Sequence, residues 1–425
     1  MTRTADDAPP IPTAGDSRRG LLLVALAIVL TAANLRTAVS TVGPVLEEIE
    51  NGLGVSSAAA GVLTTMPVLC FAAIGFAGPP LAARFRDAHV LAGALLTMAA
   101  GLVLRAVVDN FPLFLAGTVL AMVGGALGNV LLPGLVKRWF PERTGLLIGA
   151  YSASMAIGGA VAAVSTAPIA AAVGPGGWRW ALGVWAALAL VAAVPWFLTP
   201  SQPGAGRAAH RSVRMRPLAR SPLALTMAAF FGLQAMQAYV VMGWSAQYLR
   251  DSGLSAATAG LLLGINSIVV IPVNAVVPSL TVRQRWQRPL LLGFMACYAV
   301  GWTGLWLAPR TLPWLWMSVL AVGMGTFSMV LALIGLRART PETVAALSTV
   351  TQGWGYVLAG TGPLLVGVLR GATGGYTGMF VLIAVATVGL TVTGWLATRP
   401  RYVDDEVPGW SPAAVSPATA ASPRG

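Results

Sequence analysis

The sequence predicts an all-α membrane protein of twelve transmembrane helices arranged as two six-helix bundles. Three observations carry that prediction. Of 425 residues, 56% are hydrophobic and only 10% charged, whereas soluble domains carry about 25% charged residues. Apolar windows long enough to cross a bilayer, roughly 20 residues each, recur along nearly the whole chain. Finally, short motifs of the first half return in the second half at a nearly constant offset.

The windows fall at about 20–43, 57–80, 88–108, 112–136, 144–170, 178–199, 222–248, 257–280, 289–308, 313–336, 344–369 and 376–398. The fifth, crowded with glycine and alanine, has the softest edges. The first is too long for a signal peptide and is read as helix 1. Residues 20–200 form the expected N-terminal bundle and 222–399 the C-terminal one, joined by a Gly-, Pro- and Arg-rich linker at 201–221. Residues 1–19 and the Pro-, Ala- and Ser-rich segment 400–425 read as disordered cytoplasmic tails. Cys70 and Cys297 both lie in apolar windows, so no disulfide framework is expected.

A net charge of +13 invites a nucleic-acid reading, which the distribution of charge argues against. Five of the 27 basic residues (Arg105, Arg179, Arg250, Arg310, Arg370) lie at odd-numbered loops, and Arg36 lies inside a window. The other 21 lie in the termini and even-numbered loops. That asymmetry follows the positive-inside rule. It predicts a multi-pass protein of the cell inner (plasma) membrane with both termini cytoplasmic, in contact with membrane lipids and not with nucleic acid.

The repeat is legible in three places. Gly54-Val55-Ser56-Ser57-Ala58-Ala59-Ala60-Gly61 matches Gly253-Leu254-Ser255-Ala256-Ala257-Thr258-Ala259-Gly260. Pro79-Pro80-Leu81-Ala82-Ala83-Arg84-Phe85-Arg86 matches Pro278-Ser279-Leu280-Thr281-Val282-Arg283-Gln284-Arg285. Pro141-Glu142 and Pro341-Glu342 open helices 5 and 11. Six helices per half is an even number, so both halves enter from one side as parallel repeats. Major facilitator transporters are built so, with their site at the midplane between the halves.

Asn34-Leu35-Arg36-Thr37-Ala38-Val39 before Gly43-Pro44, with Thr64-Thr65-Met66-Pro67, resembles helices 1 and 2 of the cyanate and nitroimidazole transporter subfamily of that superfamily. So do Asn129-Val130-Leu131-Leu132-Pro133, Leu347-Ser348, Gln352-Gly353-Trp354-Gly355-Tyr356 and Gly362-Pro363. The likeness runs from about Leu21 to Arg399. It implies a major facilitator fold and a transported solute whose identity differs among members. The superfamily's helix 2–3 signature is degraded here, with Ala82 and Ala83 where an acid is expected.

Arg36 is the one charged side chain that hydropathy leaves inside the membrane. It lies about 15 residues into the run 21–42, roughly 6 Å past its midpoint. An arginine at that depth costs roughly 2.5–3.5 kcal/mol on insertion scales, and no window supplies a carboxylate to neutralise it. Two roles are open to it. It faces a central cavity and binds an anionic solute bidentately, or it is structural, held by carbonyls or a tyrosine hydroxyl. The remaining candidates are Asn34, Thr37 and Ser40 beside it, Asn129 in helix 4, Gln234, Gln237 and Tyr239 in helix 7, and Gln352 and Tyr356 in helix 11. For each the alternative is a hydrogen bond between helices. Tyr151, Ser154, Asn266 and Asn274 are weaker candidates. Arg105 and Asp109 read as a surface pair, and Glu47, Glu48 and Glu50 as a solvated loop or an external gate.

All 14 acids and both histidines lie in loops, ends or tails, so the intramembrane proton relay of many carriers is not expected. Nor is a metal-ligand cluster, a bound cofactor, a nucleotide loop or an acid–base pair; the chain does not read as an enzyme. The expectation is a monomeric secondary or facilitative transporter of a small organic or inorganic anion, cyanate-like or a carboxylate, working by alternating access. The competing readings are an exporter of nitroimidazole-like drugs or antibiotics, and a non-transporting receptor.

Overall fold

The computed structural model describes residues 14–84, 87–199, 218 and 220–406. Most of both expected tails and nearly all of the expected linker lie outside the described residues, as does Arg86 of the repeat. The first span, α1, covers Gly20–Leu53 and is broken. Helix Ala14–Asn34 is followed by one turn at Thr37–Ser40, a tighter turn at Gly43–Val45 and helix Leu46–Leu53. Then come α2 (Ser57–Arg84), α3 (Asp87–Val107), α4 (Phe111–Trp139), α5 (Thr144–Val173) and α6 (Gly177–Leu198). The second half comprises α7 (Pro222–Asp251), α8 (Ala256–Thr281), α9 (Gln284–Leu307), α10 (Pro313–Leu336), α11 (Pro341–Thr373) and α12 (Thr377–Ala397). A short α13 (Val403–Glu406) closes the described chain.

Eleven of the described segments are long and apolar enough to cross a membrane. The segment outside that set is α11, whose 33 residues suffice to span but include Thr349, Thr351, Gln352, Tyr356 and Thr361.

The sequence repeat has a local cause. Gly54 (φ 62°) and Gly253 (φ 96°) take the left-handed backbone that ends a helix. Two residues later a serine starts the next one: Ser56 Oγ accepts from Ala59 N at 3.4 Å, and Ser255 Oγ accepts from Thr258 N at 3.1 Å. The motif is a stop-and-restart signal that turns the chain between spans 1 and 2 and again between 7 and 8.

Lipid is as apolar as leucine, so membrane helices associate through close packing of small residues and internal hydrogen bonds. The two halves meet where α2 packs on α11 and α5 on α8. A Cβ on Gly61 would sit 3.0 Å from Leu364 O and 3.1 Å from Gly367 Cα. These approaches involve the start of α2 and the end of α11, so the bundles touch at the end opposite the termini.

Three expectations are corrected. The acidic segment after helix 1 is no simple solvated loop: Leu46–Leu53 is helical, with Leu46 and Ile49 buried. Arg105 does not pair with Asp109. It is fully buried, and Asp109 pairs with Arg179 at 2.8 Å. Lastly, order extends beyond residue 399. Val403 is buried and its N–H donates to Arg337 O, while Glu406 accepts from Ser221 Oγ and Leu223 N at the start of α7. A carboxylate there is stabilised by the helix's positive end.

Candidate solute-binding site

The site begins with a defect in α1. Arg36 lies between two helical pieces with φ −109° and ψ −9°, so the carbonyls just beyond it need partners from elsewhere. Arg105 of α3 braces the break, donating to the Ala38 carbonyl at 3.1 Å and to the Thr41 hydroxyl at 3.0 Å. On the opposite bundle α7 is also irregular, with a π-helical stretch at Val241–Ser245, a distortion common at functional sites. The two irregular stretches face each other: Arg36 Nη1 lies 4.0 Å from Met242 Sδ, and a Cβ on Gly43 would come 2.7 Å from Met242 O.

Between them is a cavity of about 130 Å³. The N-terminal half contributes Leu35, Arg36, Phe71 and Asn129 to its wall; the C-terminal half contributes Gln234, Tyr239, Met242, Asn266, Asn274 and Tyr356. The body of the wall is aromatic. Tyr356 stacks on Phe71 with centroids 6.0 Å apart and meets Phe231 edge-on at 5.0 Å. Arg36 is half-buried. Among the described residues its one polar contact is the Met242 sulfur, and no carboxylate pairs with it.

Of the ten residues singled out from sequence, the fold gathers Arg36, Asn129, Gln234, Tyr239 and Tyr356 around this cavity. The others make contacts elsewhere. Asn34 is buried and donates to Leu30 O and Leu188 O; Thr37 donates to Asn34 O. Ser40 is buried beside Gly159. Gln237 turns into the C-terminal bundle, donating to Thr387 Oγ1 at 2.8 Å and accepting from Trp302 Nε1 at 2.7 Å. Gln352 donates to Ser348 Oγ. Even Asn129 is engaged, accepting from the Tyr151 hydroxyl at 2.6 Å. Sequence reasoning passed over Phe71, Phe231 and Met242, because apolar residues in a membrane helix carry no signal until a cavity is known. It also missed the role of Arg105. Among the described residues no group of three or more His, Cys, Asp or Glu could hold a metal ion.

Beyond the cavity the end opposite the termini is tied shut by ion pairs between the bundles. Arg250 of α7 donates to Glu48 at 2.7 and 2.9 Å and to Pro44 O, and lies 2.9 Å from Glu47. Arg370 of α11 meets Glu50 at 3.2 Å, Ser57 Oγ at 3.0 Å and Asp251 at 3.0 Å. The Tyr376 hydroxyl donates to the same Asp251 at 2.6 Å. Both arginines come from one bundle and the three glutamates from the other, so the arginine–glutamate bonds cannot survive separation of the halves at this end, whereas Asp251 stays with Arg370 and Tyr376 in the C-terminal bundle.

A family model described as Major Facilitator Superfamily matches residues 24–360. The chain belongs to the major facilitator superfamily. It is a multi-pass membrane transporter, with the twelve-helix, two-bundle fold of that group. Within the superfamily it is 33% identical to the 2-nitroimidazole transporter of Escherichia coli (strain K12), over 91% of this chain and 98% of the relative. It is 28% identical to the cyanate transport protein CynX of the same organism, over 86% and 95%. The fold matches a bacterial homolog of the human lysosomal transporter Spinster, crystallised inward-facing and occupied, with TM-score 0.73 and 17% identity over 93% of this chain and 99% of that one.

Proposed function

We propose that this major facilitator transporter carries a small anionic solute across the inner membrane by alternating access, with Arg36 as the seat of the negative charge. The supporting observation is a guanidinium on the wall of a central cavity that no carboxylate among the described residues neutralises. A bound anion supplies the missing charge, and the planar five-donor fork of arginine suits a two-oxygen head. The basic residues crowd the loops at the end carrying both termini, which supports a cytoplasmic placement for that end. The tied end then faces outward, and the solute meets Arg36 from the cytoplasmic side in this conformation. The whole path lies within one chain, which suits a monomer.

The relatives bracket this reading, one named for cyanate and one for 2-nitroimidazole. The aromatic wall favours a flat body over a bare ion and keeps drug efflux as the second reading. Replacing Arg36 separates the two. In proteoliposomes, Arg36→Gln abolishes counterflow of a small anion if the first reading holds. Export of neutral 2-nitroimidazole that survives the same substitution, with no anion flux in the unmodified protein, overturns it.

A further inference from the structure

Five arginines at the end carrying both termini stand without a counter-charge. Arg283, Arg285 and Arg288 lie at the start of α9, and Arg399 and Arg401 follow α12; all are exposed. Among the described residues none of them makes a side-chain hydrogen bond or an ion pair. Three acids follow Arg401 in the chain, but each is committed elsewhere. Asp405 pairs with Arg339 at 2.6 Å. Asp404 accepts from Thr343 Oγ1 and from Arg339 N, both at 2.9 Å, and Glu406 accepts from the start of α7. The chain beyond Glu406 contains no acid, and neither does the stretch 200–221.

The two arginine-bearing segments are fastened side by side. Gln284 Nε2 donates to Thr398 O at 2.8 Å. Arg337, which is buried, donates at 2.9 Å to Ala397 O on α12 and to Gln287 Oε1 on α9. The Arg288 guanidinium lies over the Trp395 ring, 4.4 Å from its centroid. Trp286 and Trp395 are 42% and 37% exposed, as suits indoles at a membrane–water boundary. Farther into the span both helices present apolar surface on the same faces. Leu292 lies one turn beyond Arg288, and Val392 and Val388 lie one and two turns from Trp395; all three are exposed. A soluble anion leaves that apolar strip uncovered, whereas a phospholipid covers it with its chains.

We propose that this patch seats an anionic phospholipid of the adjoining leaflet, its phosphate on the arginines and its chains along the exposed strip of α9 and α12. Guanidinium groups bind phosphate oxygens in pairs, and basic side chains just outside a span draw in anionic lipid. The positive-inside bias accounts for the sign of this charge. It does not account for unpaired arginines gathered over one apolar strip beside two exposed indoles.

Native mass spectrometry of the detergent-purified full chain tests this with phosphatidylglycerol, phosphatidylcholine and glycerol 1-phosphate. Phosphatidylglycerol binds the unmodified protein at least about tenfold more tightly than phosphatidylcholine, since each basic residue near the headgroup is worth about fivefold. Arg288→Gln weakens phosphatidylglycerol about fivefold and the pair R285Q/R288Q about 25-fold, with phosphatidylcholine unchanged. Arg143→Gln removes the same charge from an exposed site on the N-terminal bundle and leaves the affinity for phosphatidylglycerol unchanged. An equal loss in Arg143→Gln overturns the proposal, because net charge alone then governs binding. So does equal affinity for the two lipids. Binding of glycerol 1-phosphate as tight as that of phosphatidylglycerol overturns the lipid seat in favour of a site for free phosphate.

Discussion

Replacing Arg370 with glutamine should open the tied end of the transporter. In the closed arrangement its guanidinium makes hydrogen bonds of 3.2 Å to each oxygen of Glu50, 3.0 Å to Ser57 Oγ and 3.0 Å to Asp251. The side chains of Arg370 and Glu50 are only 18% and 13% exposed, which separates them from surface pairs worth about 0–1 kcal/mol. Breaking a buried pair by removing one partner costs about 3–5 kcal/mol, because the other charge is stranded. For this partly buried network the lower figure, about 3 kcal/mol, is appropriate. The part owed to Glu50 falls on the closed state alone, since opening separates the bundles and hydrates Glu50; Asp251 shares a bundle with Arg370 and loses its partner in both states. About 3 kcal/mol shifts the closed-to-open ratio roughly 100-fold.

Leu63 reports on this shift. It is 1% exposed and lines a narrow chamber beneath the tied end, together with Tyr239 and Met242. In a C70S/C297S background, L63C alkylation by a membrane-impermeant maleimide added on that side should accelerate roughly 100-fold with R370Q, in line with that population shift. Adding E50Q should reverse part of the effect by removing the stranded carboxylate. An R370Q protein that labels at the parent rate refutes the argument that these ion pairs hold the end shut.

Two further outcomes follow from buried groups. Arg105→Ala removes the guanidinium from the break in α1 and leaves only the long 3.5 Å bond from the Thr41 hydroxyl to the Ala38 carbonyl; a loss of about 3 kcal/mol is expected, seen as a melting temperature several degrees lower in detergent, and an unchanged melting temperature would count against the bracing role. Burial first, and then its bond to Asp251, push the Tyr376 phenol up. Its folded pKa exceeds its unfolded one, so its stabilisation is complete below about pH 10 and is lost as pH rises beyond. The melting temperature of Tyr376→Phe should therefore fall below that of the parent at neutral pH and converge on it above about pH 10; a constant difference across that range excludes the linkage.

How far the sequence could be read depends on the kind of signal. The pattern Gly-x-Ser at 54–56 and 253–255 is a local instruction, a left-handed glycine and a capping serine, so duplication and topology were legible from it. Glutamine pairs were not. Gln234 and Gln237 are three residues apart and so about 60° apart around the helix, yet that angle sends one to the cavity and the other to Trp302 and Thr387. Arg105 looked like half of a surface pair because Asp109 stands one turn away. Its real partners, Ala38 and Thr41, depend on how α3 crosses α1.

By itself the sequence determined the class of the molecule, the number of spans, the two-fold repetition and the isolation of Arg36 from any acid within the membrane. Each of these follows from local composition or from spacing along the chain. The tertiary structure alone decided which polar residues share a cavity, which are used up between helices, and that Glu47, Glu48 and Glu50 meet Arg250 and Arg370 across the bundle interface. Those partners lie hundreds of residues apart, and a helix one turn longer or a few tens of degrees rotated would pair them differently. Hydropathy records only that a side chain must find a partner away from lipid. The packing angles of the bundles decide which partner it finds.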